Sequence, residues 1–132
     1  MVTTAMVARS SVQTTVPSRI EVSAIAAGPV LARVFGIVGA RAGLSLDRVS
    51  DLLLLADTIA DADVHADARV GVDFLVADGQ VELVVGPLVD GGAEQLTSSP
   101  KVGGVAVLPR LADQVEVLGA GAEPRRIRLV VA

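Results

Sequence analysis

The sequence contains no cysteine, tryptophan or tyrosine, and its only aromatic residues are Phe35 and Phe74. Without cysteine the chain can form neither a disulfide nor a thiolate zinc site, and it has no cysteine nucleophile. So few aromatic rings leave almost nothing on which nucleic-acid bases could stack, and the net charge of -4 also argues against a nucleic-acid partner. The sequence therefore excludes disulfide-bonded, thiolate-zinc and cysteine-nucleophile proteins and argues against nucleic-acid binding. The lack of cysteine also fits a cytoplasmic location.

Aliphatic residues are abundant instead, because 52% of the chain is hydrophobic. The core must therefore be built from Val, Leu, Ile and Ala. The longest apolar stretch, Ala24 to Ala40, is interrupted by Pro29 and Arg33 and is shorter than the ~20 residues that span a bilayer. We therefore expect a core helix there and no membrane partner. Residues 1–17, rich in Ser and Thr, predict a flexible tail, and residues 18–132 predict a single domain.

Hydrophobic periodicity predicts the element order β-α-α-β-β-α-β-β. "SRIEVSAI" alternates as a strand, and a helix opens at Gly28-Pro29. A second helix follows with Ser45 as its N-cap, and it is expected to end near residue 62. A hairpin turn is predicted at Asp78–Gln80, a helix in "VGGVAVLPRLAD", and strands in "QVEVLG" and "RRIRLVVA". The predicted fold class is α+β, a two-layer α/β sandwich with a mostly antiparallel sheet of about five strands covered by three helices on one face.

The stretch "DTIADADVHAD" holds four acids and the only histidine. If it is extended, Asp61, Asp63, His65 and Asp67 alternate onto one face that would suit a metal ion. If it is helical, Asp57, Asp61 and His65 share one polar face at i, i+4 and i+8. The helical wheel favours the helix, so the four-ligand metal site loses its geometry. Asp63 and Asp67 are then interpreted as solvated acids at the helix end, and His65 as exposed.

Two Gly-rich segments precede predicted helices. "DGGAEQL" contains Asp90 and Gly91, and "VGGVAVL" contains Gly103 and Gly104. Helix N-termini can bind phosphate through their free N–H groups. Neither segment contains a complete phosphate-binding motif, however, so their glycines are more simply explained as turn or cap residues.

Two longer segments resemble a known family. "LARVFGIVGARAGLSLDRVSDLLLLADTIADADVHA" resembles the first half of the anti-sigma regulatory factors, which are bacterial serine kinases of the histidine-kinase-like ATPase superfamily. "VGGVAVLPRLADQVEV" is similar to the family's Gly-initiated helix, with Gly104 leading in and Leu111, Asp113 and Val115 closing it. The resemblance covers about residues 18 to 132, and the family's fold has the same element order as the periodicity predicts.

The resemblance implies a nucleotide site on the second helix. The family carries a Glu there as general base and, four residues later, an Asn that holds Mg²⁺. One register places Asp57 and Asp61 at these two positions and His65 on the family's His, whereas the alternative register places Thr58 and Ala62 there. In an active protein of the first register, Asp57 would be the base and Asp61 the Mg²⁺ ligand.

The remaining nucleotide motifs depart from the family's pattern. Pro87 stands where the adenine-binding Asp is expected, and proline has neither a carboxylate nor a backbone N–H. Asp90 and Gly91 could replace that motif only with a longer loop, and the later Gly-x-Gly motif has Val102 at its first glycine, followed by Gly103 and Gly104. Phosphoryl transfer requires groups that position the substrate and neutralise its charge, and the eroded motifs are the ones that supply them. We therefore expect the fold to persist without kinase activity.

The resemblance therefore implies a degenerate anti-sigma-factor-like binding module in bacterial transcription control, without kinase activity or a bound cofactor. Its implied partners are a sigma factor or an antagonist protein that releases it, and the family also implies a homodimer. One alternative is an active anti-sigma serine kinase with an atypical pocket that uses ATP and Mg²⁺. A second alternative is an unrelated small-ligand or structural domain that shares only the topology.

Overall fold

A computed structural model of the protein describes residues 18–98, 101–102, 105–119 and 123–132. The predicted flexible tail at residues 1–17 and the candidate site residues Gly103 and Gly104 lie outside the described residues. Within them, the chain has the predicted α+β class, a five-stranded antiparallel sheet with helices packed on one face.

The described residues form five strands of the predicted sheet and two short strands that the sequence does not predict. They are β1 (Ser18–Ser23), β2 (Arg69–Ala77), β3 (Gln80–Leu88), β4 (Lys101–Val102), β5 (Val105–Ala106), β6 (Gln114–Leu118) and β7 (Arg125–Val131). The main sheet has the order β1-β2-β3-β7-β6, and every neighbouring pair in it is antiparallel. β4 and β5 form a separate two-stranded ladder. The hairpin between β2 and β3 turns at Asp78-Gly79 as predicted, and Gly79 supplies the positive φ of 76° that this turn requires.

Besides 3-10 helices at Ala24–Ala26 and Ala66–Ala68, the described residues contain two long α-helices and two short ones. They are α1 (Ala27–Arg41), α2 (Leu46–Asp61), α3 (Gly92–Ser98) and α4 (Val107–Leu111). α1 ends before Gly43, whose φ of 74° is the left-handed conformation that commonly follows a helix. α2 begins with Ser45, whose hydroxyl accepts a hydrogen bond from the Arg48 N–H at 3.3 Å. The predicted N-cap of the second helix is therefore confirmed.

The core lies between the helices and the inner face of the sheet. Its fully buried side chains are mainly aliphatic, including Leu31, Leu52, Leu55, Ile59, Val70, Val72, Leu83, Val85, Ile127 and Leu129. The two phenylalanines meet there. Phe35 of α1 and Phe74 of β2 have ring centroids 5.5 Å apart with perpendicular rings. This edge-to-face contact stabilises the packing of α1 on the sheet.

On the outer face of the sheet, the described residues form ion pairs and contribute no covering helix. Arg19 of β1 pairs with Asp73 of β2 at 3.0 Å, and Arg128 of β7 pairs with Glu82 of β3 at 2.9 Å. These residues alternate with the buried aliphatic residues, as expected for strands with one buried face. The sheet thus has one apolar face for the core and one charged face for solvent.

Among the described residues, the helical segment Ala24–Arg41 is long and apolar enough to cross a membrane by length and composition alone. In the fold, its residues Ala27, Leu31, Phe35 and Gly39 are buried. The segment therefore has the packing of a helix in a folded domain, although much of its remaining surface is exposed.

The helix predicted for "VGGVAVLPRLAD" is present only around Pro109, and its first part is wrong. Val105–Ala106 is a strand, and only Val107–Leu111 is helical. Pro109 is the third residue of this short helix. Proline has no N–H to donate and is tolerated only in the first turn of a helix, so a helix containing Pro109 has to begin just before it.

Candidate functional site

An open cleft of about 510 Å³ lies between the C-terminal end of α2 and the short helix α3. Its walls are formed by the last turns of α2, the segment that follows α2, and the middle of α3. The lining residues are Asp57, Thr58, Asp61, Ala62, Asp63, Gln95 and Leu96.

The helical periodicity of α2 places Asp57 and Asp61 in the cleft. The two residues are four apart and therefore lie on the same face of the helix. The opposite face carries Leu52, Leu55 and Ile59, which are fully buried against the sheet. Burial of the leucine stripe thus fixes the rotation of α2, and it turns both carboxylates outward. The structure confirms the predicted placement of Asp57 and Asp61 on one polar face.

Asp63 joins these two acids because the helix stops before it. α2 ends at Asp61, as predicted, and Ala62 has extended dihedrals (φ -74°, ψ 134°). A continuing helix would have carried Asp63 into the apolar stripe, whereas the change of direction at Ala62 brings it to the cleft. Asp63 is exposed at the helix end, as expected for a solvated acid, and it lines the same cleft as Asp57 and Asp61. The sequence contains a signal for this helix end, because a longer helix would place the charged Asp63 in the apolar stripe.

The segment after α2 is held against the start of α3. The Val89 N–H donates to the Val64 carbonyl at 2.8 Å. Gly92, the first residue of α3, packs so closely that an added Cβ would lie 3.0 Å from Val64 Cβ. Glycine at this position therefore lets α3 approach the end of α2, and this approach creates the cleft.

His65 is not on the polar face of α2, and both the helical placement and the interpretation as an exposed histidine are wrong. His65 is only 8% exposed, and its backbone forms an isolated antiparallel bridge with Leu88. The ring nitrogen Nε2 lies 2.7 Å from the Ile59 carbonyl oxygen. The buried Nδ1 has no hydrogen-bond partner among the described residues. His65 does not line the cleft, and its side chain contacts the last turn of α2 instead.

The other predicted site residues do not line the cleft. Asp90 and Gly91 are exposed in the turn before α3, where Gly91 has a φ of 76° and its carbonyl accepts from the Gln95 N–H at 3.0 Å. This geometry matches the interpretation of Gly91 as a turn residue. A role for either residue in binding a cofactor stays a prediction.

The cleft has a strongly negative character. Three of its lining residues carry carboxylates, and no Lys, Arg or His is among the described residues that line it. The Thr58 hydroxyl donates to the Leu54 carbonyl at 2.9 Å within the helix, so it is already engaged. Such a cleft can accept hydrogen bonds from ammonium or guanidinium groups, and it repels anions.

The described lining does not fit a nucleotide. It contains no cationic side chain that would neutralise phosphate oxygens, and Asp90 lies outside it, so no carboxylate of that turn is in place to meet an adenine amino group. In the described part of the chain, no group of three or more His, Asp or Glu side chains is close enough to hold a metal ion.

No protein-family model matches the chain, and no curated protein matches it either. The resemblance to the anti-sigma regulatory factors therefore stays a prediction.

Proposed function

We propose that the protein is a non-enzymatic binding module of the anti-sigma-factor type, and that its α2–α3 cleft receives a positively charged segment of a partner protein. The observation that supports this function is the composition of the cleft, in which Asp57, Asp61 and Asp63 are unaccompanied by any cationic side chain of the described lining. Long Lys or Arg side chains are the groups that such a set of acceptors would bind best.

The physical properties of the cleft suit a reversible protein contact. It is open to solvent, so each ion pair formed in it is screened and contributes little by itself. Three carboxylates that line one cleft nevertheless attract a basic segment over a distance and accelerate its association. We therefore expect affinity and association rate to fall as ionic strength rises. By the sequence resemblance, the partner is a sigma factor or the antagonist that releases it.

The experiment that tests this function is capture of partners from the native host with three baits. The wild-type chain is compared with a cleft variant carrying Asp57→Asn, Asp61→Asn and Asp63→Asn. The matched control carries Asp67→Asn, Asp78→Asn and Glu123→Gln, which remove the same charge from exposed positions outside the cleft.

A sigma factor or its antagonist should be retained by the wild type and by the control, and it should be lost from the cleft variant. The purified partner should then bind the wild type with an affinity that decreases steeply between low and physiological salt. Equal capture by all three baits would contradict the assignment to the cleft. Capture of neither partner class would favour an unrelated domain that shares only the topology.

A second candidate function is an active ATP-binding serine kinase with an atypical pocket. One observation favours it: Asp57 and Asp61, which the resemblance makes base and Mg²⁺ ligand, line the same cleft. Nucleotide binding that disappears when Asp61 is replaced is the result that would favour this candidate over the binding module.

A further inference from the structure

The strand β6 (Gln114–Leu118) forms one edge of the main sheet. Within the described part of the chain it pairs with β7 alone, and its backbone makes no hydrogen bond to any other described segment. A sheet edge carries a row of backbone N–H and C=O groups to which a further strand can pair. The first question is therefore which residues of β6 direct these groups outward.

The tight hairpin between β2 and β3 answers this question for the whole sheet. Only two residues separate Ala77 from Gln80, so these two residues form a hydrogen-bonded pair between β2 and β3. The backbone groups of successive residues in a strand point to opposite sides. Those of Val81 therefore point away from β2, to its partner Val131 in β7.

The same alternation carries the pattern to the edge. Because Val131 points to β3, its neighbour Val130 points to β6, and the Val130 carbonyl indeed accepts the Asp113 N–H there at 2.8 Å. Gln114 is the register partner of Val130 and points back to β7. Val115 and Val117 consequently direct their N–H and C=O groups to the free edge.

The opposite edge of the sheet is less suited to pairing. By the same alternation, the residues of β1 with outward backbone groups are Arg19 and Glu21, which form an ion pair at 3.1 Å. Charged side chains on an edge strand discourage the addition of another strand. On β6 both residues in the corresponding position are valines, so we consider this edge alone.

The side chain of Val117 is incompletely covered by the fold. It pairs with the fully buried Ile127 of β7 and so lies on the helix side of the sheet, yet it is 37% exposed. An apolar side chain on an added strand would pack beside it and remove it from water.

On the other face of the sheet, charges alternate in sign from strand to strand. The Arg128 guanidinium of β7 lies 2.9 Å from the Glu82 carboxylate of β3 and 3.5 Å from the Glu116 carboxylate of β6. The series ends at Glu116, whose side chain is 58% exposed. A basic residue on the next strand would continue the alternation, whereas an acidic residue there would be repelled.

We propose that the free edge of β6 binds an extended segment of a partner protein as a sixth, antiparallel strand of the main sheet. The segment carries Lys or Arg opposite Glu116, with an apolar residue on either side opposite Val115 and Val117. Backbone hydrogen bonds to the two valines provide affinity, and the side chains provide selectivity. No residue of β6 is among those that line the α2–α3 cleft, so the proposal does not depend on the function of the cleft.

NMR titration of the isotope-labelled full chain with synthetic peptides tests the proposal. The first peptide is acetyl-Ser-Thr-Val-Lys-Val-Thr-Ser-amide, which has the proposed pattern. One comparison peptide has Glu in place of Lys. Another keeps the charge but is N-methylated on both valines, which removes the donors that would pair with β6.

The Lys peptide should bind the wild type with a Kd below ~1 mM and should slow the hydrogen exchange of the Val115 and Val117 amides. The Glu peptide should bind at least about threefold more weakly, and the N-methylated peptide should not bind. Absence of binding by the Lys peptide, signal changes confined to the cleft, or equal binding of all three peptides would each overturn the proposal.

Two variants of Val117, checked for folding by circular dichroism, locate the contact. Val117→Pro removes an N–H that β7 does not use, in an edge strand where proline is tolerated, and it should abolish binding of the Lys peptide. The matched control Val117→Thr keeps the N–H and the branched shape and should retain binding. Unchanged binding by Val117→Pro would contradict the proposed edge.

A charge reversal provides a second test should Val117→Pro not fold. Glu116→Lys should bind the Glu peptide more tightly than the Lys peptide, and an unchanged preference would overturn the proposal. Light scattering without peptide addresses a different occupant. A doubled chain mass that returns to a single mass in Val117→Pro would identify a second copy at this edge and would also overturn the proposal.

Discussion

The Nε2 atom of His65 lies 2.7 Å from the carbonyl oxygen of Ile59, so a side chain beyond the end of α2 is tied to its last turn. The last four carbonyls of a helix have no partner within it. Because a carbonyl oxygen only accepts hydrogen bonds, Nε2 must carry the proton. His65 therefore caps one of the last carbonyls of α2 and ties the segment after the helix to its last turn.

Replacing His65 by alanine should destabilise the fold. The substitution leaves the Ile59 carbonyl without its partner and opens a buried space, so we expect a loss of about 2–4 kcal/mol in the free energy of unfolding. Urea denaturation measures this change. His65→Gln, which keeps an N–H donor, should cost clearly less. If both variants were as stable as the wild type, the cap would have no energetic role.

Two non-glycine residues just after His65 have positive φ, Asp67 at 58° and Ala68 at 56°. Alanine is strained in this region, and glycine is not. Ala68→Gly should therefore raise the free energy of unfolding by up to about 1 kcal/mol. The same substitution inside α1, Ala32→Gly, should lower it by about 1 kcal/mol. Thermal denaturation of the two variants should show shifts of opposite sign, and a loss of stability in Ala68→Gly would contradict the strain.

The seam between α1 and α2 requires a glycine at one position but not at another. An added Cβ at Gly39 would approach the fully buried Leu52 to 2.7 Å, whereas at Gly36 it would meet Leu53 at an ordinary 3.6 Å. We expect Gly39→Ala to destabilise by about 1–2 kcal/mol and Gly36→Ala to stabilise by up to about 1 kcal/mol. Denaturation at matched protein concentration measures both, and similar effects at the two sites would contradict the packing.

Asp113 predicts a defined dependence of stability on pH. The backbone N–H of Ala132 donates to Oδ2 of Asp113 at 2.7 Å, and the Arg48 guanidinium adds a second hydrogen bond at 2.7 Å. The Ala132 hydrogen bond is the main cause that lowers the pKa of Asp113 below the ordinary 3.8, with Arg48 contributing to the same effect.

A carboxylate whose pKa is lower in the folded state stabilises the fold above the pKa of the unfolded chain and loses this effect as pH falls through the folded value. Asp113→Ala should therefore lower the free energy of unfolding near neutral pH by at most about 1 kcal/mol, because the side chain is half exposed. The difference from the wild type should shrink below pH 3.8. Denaturation curves over the acid range would contradict this if the difference grew on acidification.

Local patterns in the sequence were sufficient for most of the fold. The alternation in β2 and β3 and the turn at Asp78-Gly79 predict the central hairpin, since each feature depends only on neighbouring residues. The end of α2 was predictable as well, because Asp63 could not continue the apolar stripe. Asp57 and Asp61 of the cleft follow from the same periodicity.

The errors arise where contacts distant in sequence decide the structure. Burial of His65 depends on pairing with Leu88 in β3, and no local pattern reveals it. Asp63 reaches the cleft because Gly92 lets α3 pack against Val64. The error before β6 has a local cause instead, because Pro109 limits a mostly apolar run to a helix of five residues and Val105 pairs in a strand with the nearby Val102.

Calorimetric titration with Mg-ATP tests most directly whether the protein is a binding module or an enzyme. The acidic cleft lacks a cationic side chain in its described lining, so the wild type should show no binding tighter than ~1 mM, and Asp61→Ala should behave alike. Binding tighter than ~100 μM in the wild type that is lost in Asp61→Ala would contradict the proposed function and would favour the kinase.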